Sequence, residues 1–134
     1  MISTTLLKNA LIFVITLTAQ AAPDASFFRA LHIVETSGKL GPTIGDQGRS
    51  LGPLQISRAY HKDSRVGNDS DYARCADLEY SKRVVTAYLQ RYAPTAYATG
   101  NVEVLARVHN GGPKGATKPA TKGYAVRVKA FMKK

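Results

Sequence analysis

The chain contains three glutamates, Glu35, Glu79 and Glu103. Glu79 and Glu103 fall near expected helix starts, where free backbone N–H groups stabilise a carboxylate. Glu35 falls at the opposite end of its helix, where the dipole disfavours a negative charge. It shares a side with Leu31 and directly follows Val34. Apolar surroundings at a helix C-terminus favour the neutral carboxyl, which is the form a general acid needs. Asp46 lies 11 residues further on, in a glycine-rich stretch able to fold back over the helix end. Two carboxylates flanking a cleft, one protonated and one ionised, are the apparatus of glycosidic bond cleavage. The competing reading is a glutamate that merely ends a helix and an aspartate that merely turns the chain.

The elements that would position this pair can be read from caps and apolar spacing. Asp24 is a suitable N-cap for a helix over Ala25 to Glu35, and Phe27 or Phe28, Leu31 and Val34 form its apolar stripe. From Gly38 to Ser50 turn formers dominate, which predicts a loop or short hairpin with Ile44 as its one apolar anchor. Ser57 can cap a short helix from Arg58 to about Ser64. Asp71 or Asp77 can start the longest helix, clearest over Leu78 to Tyr92 and stopped by Pro94. Asn101 caps a helix over Val102 to His109 that Asn110-Gly111-Gly112-Pro113 ends abruptly. A mobile Lys114 to Lys122 segment then precedes a last helix over Tyr124 to Phe131. The expected fold class is mainly α (α+β), about five helices with a small glycine-rich β-hairpin region.

The chain has 134 residues, and residues 1–21 have the layout of a secretory signal peptide. Lys8 precedes an apolar run from Ala10 to Ala19, and Ala19-Gln20-Ala21 offers a small-x-small cleavage site. Residues 22–134 then form one folded domain, secreted or periplasmic, with no stable membrane insertion. Without Lys8 the balance is 18 basic residues against 9 acidic ones, a net charge of +9. That charge draws the domain towards polyanions. The basic residues are scattered and no nucleic-acid-binding motif appears, so an anionic cell wall is the expected target and nucleic acid is not. Cys75 is the single cysteine, which excludes an internal disulfide and predicts a buried small hydrophobe. His32, His61 and His109 form no ligand pattern, so neither metal nor cofactor is expected.

Three stretches resemble the invertebrate-type lysozymes. They are the Glu35 helix with its Gly/Asp loop, then Leu51-Gly52-Pro53-Leu54-Gln55-Ile56-Ser57 with Tyr60 behind it, and Ala106-Arg107-Val108-His109-Asn110-Gly111-Gly112-Pro113. The resemblance covers nearly all of Ala25 to Val128. It implies a lysozyme-like fold and a muramidase that cleaves the β-1,4 bond between N-acetylmuramic acid and N-acetylglucosamine in peptidoglycan. It makes Glu35 and Asp46 the catalytic carboxyls. Gln55, Ser57, Tyr60, His109, Asn110 and Gly111 become candidates for lining the sugar subsites. Peptidoglycan strands are then the partner, with a proteinaceous lysozyme inhibitor as a further one implied by the resemblance alone. An isopeptidase activity credited to some members uses a Ser/His arrangement; Ser50 and His109 are the nearest counterparts and are not assigned that role.

The chain departs from the family's animal members in lacking their disulfides and their cleft tryptophans, for which Tyr60 and Tyr124 stand at the matching places. In the first respect it is similar to a bacterial relative. Glu35-Thr36-Ser37 with Gly52-Pro53-Leu54-Gln55-Ile56 also resembles the soluble lytic transglycosylases. Those work with one glutamate and form 1,6-anhydro ends. A non-catalytic cationic wall-binding or antimicrobial protein is the third alternative.

Overall fold

The computed structural model describes residues 22–134; the expected signal peptide, residues 1–21, lies outside them. Six α-helices, four short 3-10 segments and one small sheet are present among the described residues. Helix α1 spans Ala25–Thr36, and the Asp24 carboxylate accepts hydrogen bonds from the N–H groups of Ser26 and Phe27. The helix ends where Ser37 turns into the left-handed region at φ 55° and Gly38 follows at φ 78°. Three two-residue strands, β1 (Ile44–Gly45), β2 (Ser50–Leu51) and β3 (Ile56–Ser57), then form an antiparallel meander. Ile44 pairs with Leu51, and Leu51 with Ile56.

Helix α2 (Arg58–Ser64) starts at Ser57, whose hydroxyl accepts from the Tyr60 N–H. A 3-10 stretch over Asp69–Ala76 leads into α3 (Leu78–Tyr92), which Asp77 caps. Pro94 stops α3 and also opens a further helix, α4 (Pro94–Thr99), which the sequence reading did not include. Proline at a first helical turn costs no hydrogen bond, so one residue can end one helix and begin the next. Together with the eight residues of 3-10 helix at 69–76, this exceeds the expected five or so helices. Helix α5 spans Val102–Gly111 and α6 spans Lys122–Met132.

Phe27 and Leu31 of α1, Val84, Val85 and Leu89 of α3, Leu105 and Val108 of α5, and Val128 of α6 are buried in one core. Helix α6 packs on both α1 and α5. Two expectations are corrected here. Ile44 anchors nothing: it is 69% exposed, because it lies on the outer strand β1, while Leu51 of β2 and Ile56 of β3 are the strand residues that pack on the core. The segment from Lys114 to Lys122 is not a loose loop but two 3-10 turns, Gly115–Thr117 and Pro119–Thr121. The buried Arg107 side chain of α5 organises them, donating to Thr121 Oγ1 at 2.9 Å and to the Lys118 carbonyl at 3.0 Å. No helix of the described residues is long and apolar enough to cross a membrane.

Cys75 is fully buried, and burial pushes its thiol from an ordinary 9.0 up to about 11. Burial likewise raises Tyr88 to about 12 and holds Tyr60 and Tyr124 well above the usual phenol range. All four groups are essentially neutral in folded and unfolded chains below about pH 8. Above it the unfolded chain sheds protons first, so stability falls as pH rises through the folded-state values. Cys75 alone should cost about 2 kcal/mol by pH 11, at about 1.4 kcal/mol per pH unit between its two values. Urea midpoints measured from pH 8 to 11 should therefore fall steadily above pH 9, and more shallowly in Cys75→Ala. A flat profile would contradict the burial account.

Candidate active site

Glu35 is the penultimate residue of α1, and Thr36 secures the helix end next to it. The buried Thr36 hydroxyl lies 3.1 Å from the Pro53 carbonyl and 3.2 Å from that of His32, which ties α1 to the loop between β2 and β3. Glu35 Oε1 accepts a hydrogen bond from the Tyr124 hydroxyl of α6. His109 Nε2 of α5 stands 3.3 Å from the same oxygen. The Glu35 side chain is 18% exposed and that of His109 only 3%. Three helices thus converge on one carboxyl.

His109 is itself held. Its Nδ1 lies 2.9 Å from the Tyr60 hydroxyl, and the Tyr60 ring stacks on Tyr88 with centroids 3.6 Å apart. The assignment that satisfies both contacts with a neutral imidazole has Tyr60 donating to Nδ1 and Nε2–H turned to Glu35. Burial, with Tyr88 and Glu35 adjoining, keeps the Tyr60 phenol protonated and so able to donate.

Asp46 sits in the β1–β2 turn. Asp46 and Gln47 both adopt the left-handed region, at φ 52° and 58°. Arg49 closes the turn, its Nη2 donating to Asp46 Oδ1 at 2.8 Å and its Nε to the Asp46 carbonyl at 3.0 Å. Gln55 braces the sheet from the other side. Its Nε2 donates to the carbonyls of Thr43 and Gly52, and its Oε1 occupies the space that a side chain on Gly45 would need. A side chain at Gly45 would therefore have to displace the Gln55 amide from its place against the sheet.

Glu35, Asp46, Ser50, Gln55, His109 and Asn110 line one cleft of about 440 Å³. Five of the eight residues singled out in the sequence therefore share a cleft, and Ser50 joins them. The other three lie around it. Ser57 caps α2, Tyr60 supports His109 from behind, and Gly111 packs against Thr121 while its carbonyl accepts from the Lys118 ammonium. Tyr124, placed near the cleft by resemblance at the position of a family tryptophan, puts its hydroxyl on Glu35. Arg49 went unnoticed, although a guanidinium three residues beyond an aspartate in a turn is a readable pairing. Thr36 and Tyr88 carried no signal separating them from ordinary helix residues.

The comparisons with known proteins agree with this architecture. The Destabilase family model matches residues 29–131. A lysozyme of Ostrea edulis is 39% identical over 93 residues, covering 68% of this chain and 66% of that protein, so the match spans just under two thirds of the relative. The crystal structure of Tapes japonica lysozyme superposes with a TM-score of 0.68 at 28% identity, over 83% of this chain and 92% of that one. An inhibitor-bound lysozyme from Meretrix lusoria gives a TM-score of 0.66 at 29% identity, over 81% and 90% of the two chains. With this helix, three-stranded sheet and carboxyl-lined cleft, the chain belongs to the invertebrate-type lysozyme (destabilase) family.

Proposed function

We propose that the chain is a peptidoglycan muramidase in which Glu35 is the general acid and Asp46 the second carboxyl. The observation that carries this reading is the treatment of Glu35. Tyr124 and His109 both address Oε1, so Oε2 is the oxygen that neither of them engages. In the reaction, Oε2–H protonates the glycosidic oxygen as the bond from the anomeric carbon to that oxygen breaks. Asp46, on the sheet side of the cleft, meets the positive charge that develops at the anomeric carbon. Water adds there and its proton returns to Glu35. Gln55, His109 and Asn110 line the sugar path, while Ser57, Tyr60 and Gly111 hold those residues in place.

The second reading, a lytic transglycosylase, draws on the Asp46–Arg49 ion pair. A carboxylate already engaged by a guanidinium is less free to serve the anomeric carbon, and a one-glutamate route does not need it. Clearing of purified peptidoglycan by wild type and Asp46→Asn separates the two. The muramidase reading expects roughly a hundredfold loss, within the usual range for one acid–base partner. Clearing that survives in Asp46→Asn selects the single-acid route. A wild type that clears nothing across salt and pH overturns both.

We further propose a secreted or periplasmic location, with residues 1–21 as the export signal. The +9 charge of the remainder suits an anionic wall. A proteinaceous inhibitor is a proposed partner, since the related Meretrix lusoria lysozyme is found in complex with Aeromonas hydrophila PliI.

A further inference from the structure

A second concavity of about 450 Å³ adjoins the cleft on the sheet side, and Ser50 lines both. Its walls are Ile44, Leu51 and Tyr72, and its rim carries Arg49 and Arg58 with no acidic residue. Arg58 is the unusual member. It is exposed, has no carboxylate partner among the described residues, and lies 4.5 Å over the Tyr72 ring. It is also the first residue of α2, where the helix dipole disfavours a cation, so helix stability does not account for it. The Tyr72 ring is itself fixed, its hydroxyl donating to the Ile56 carbonyl at 2.8 Å. Arg49 belongs to both regions, lining this pocket while holding Asp46 in the cleft.

A guanidinium held over an aromatic ring, beside the exposed Ile44 side chain, suits a carboxylate attached to a short peptide. A glycan strand lying in the cleft carries such a group: each muramic acid residue bears a peptide stem with free carboxylates. We infer that this pocket is a subsite for the acidic peptide stem, with Arg58 as its anchor, and that it makes the chain prefer stem-bearing glycan to bare glycan. The inference rests on the muramidase reading for the placement of the strand, but it can be tested by binding alone.

The test measures dissociation constants of soluble glycan oligosaccharides for Glu35→Gln protein, which retains the cleft without turnover. The oligosaccharides are used with stems intact, with stem carboxylates amidated, and with stems removed. Intact stems should bind about tenfold more tightly than either of the other two, as expected of one charge-assisted contact. Adding Arg58→Gln should erase that difference and leave bare glycan unaffected. Arg83→Gln removes the same charge from exposed α3 surface and should change nothing. Equal affinity for all three ligands, or equal weakening by Arg58→Gln and Arg83→Gln, would overturn the inference. Binding of none of them would overturn the glycan reading as well, so the two failures are distinguishable.

Discussion

Glu35→Gln should lower turnover on peptidoglycan by about a thousandfold, in the middle of the range for loss of a general acid, while leaving the fold and substrate affinity intact. The substitution is nearly isosteric. A glutamine carbonyl oxygen can take the place of Oε1 and still accept from Tyr124 and face His109. What it cannot do is release a proton from the other side of the group, where an amide replaces the acid. The effect should therefore appear in kcat and hardly in KM. Single-turnover kinetics with a soluble glycan oligosaccharide would show this, with thermal melts to verify folding. Full activity in Glu35→Gln would remove Glu35 from the chemistry, and a large rise in KM alone would make it a binding residue.

The second large effect is on stability. Gly52→Ala should lower the melting temperature by roughly 20 °C, from about 4 kcal/mol of combined strain and overpacking. Gly52 has φ +83°, and a Cβ there would lie 1.7 Å from the Cys75 carbonyl oxygen. That oxygen is backbone and accepts from the buried Ser81 hydroxyl, so it has little freedom to move aside. The Gly52 N–H bonds the Thr43 carbonyl at 2.7 Å, fixing the loop across the sheet. Gly48 supplies the comparison. It has φ +86° with open space around it, so Gly48→Ala carries only the backbone strain, about 1 kcal/mol. Melts of the two variants that coincide would show that the close approach to Cys75 is not what requires glycine.

What the sequence made legible follows a physical rule. Asp24, Ser57, Asp77 and Asn101 could be placed as caps because each acts on backbone groups two or three residues away. Glu35 stood out for the same local reason, as a carboxylate at the wrong end of a helix. The Tyr124 hydroxyl, by contrast, reaches Glu35 across 89 residues, and only the packing of α6 on α1 brings them together. Lys114 to Lys122 read as loose because Gly115, Pro119 and its three lysines are visible in sequence, whereas the Arg107 side chain that organises it comes from another helix. Ile44 read as an anchor because it is an apolar residue in a polar stretch, but a two-residue outer strand gives it nothing to pack into.

The most direct test of the central claim is the mass of the products that the wild-type domain releases from purified peptidoglycan. Hydrolysis by the Glu35–Asp46 cleft predicts disaccharide-peptides with reducing N-acetylmuramic acid ends, one water heavier than the anhydro forms. Products carrying only 1,6-anhydro ends would contradict hydrolysis and move the chemistry to Glu35 alone. Release of no glycan fragments at all would contradict the enzyme.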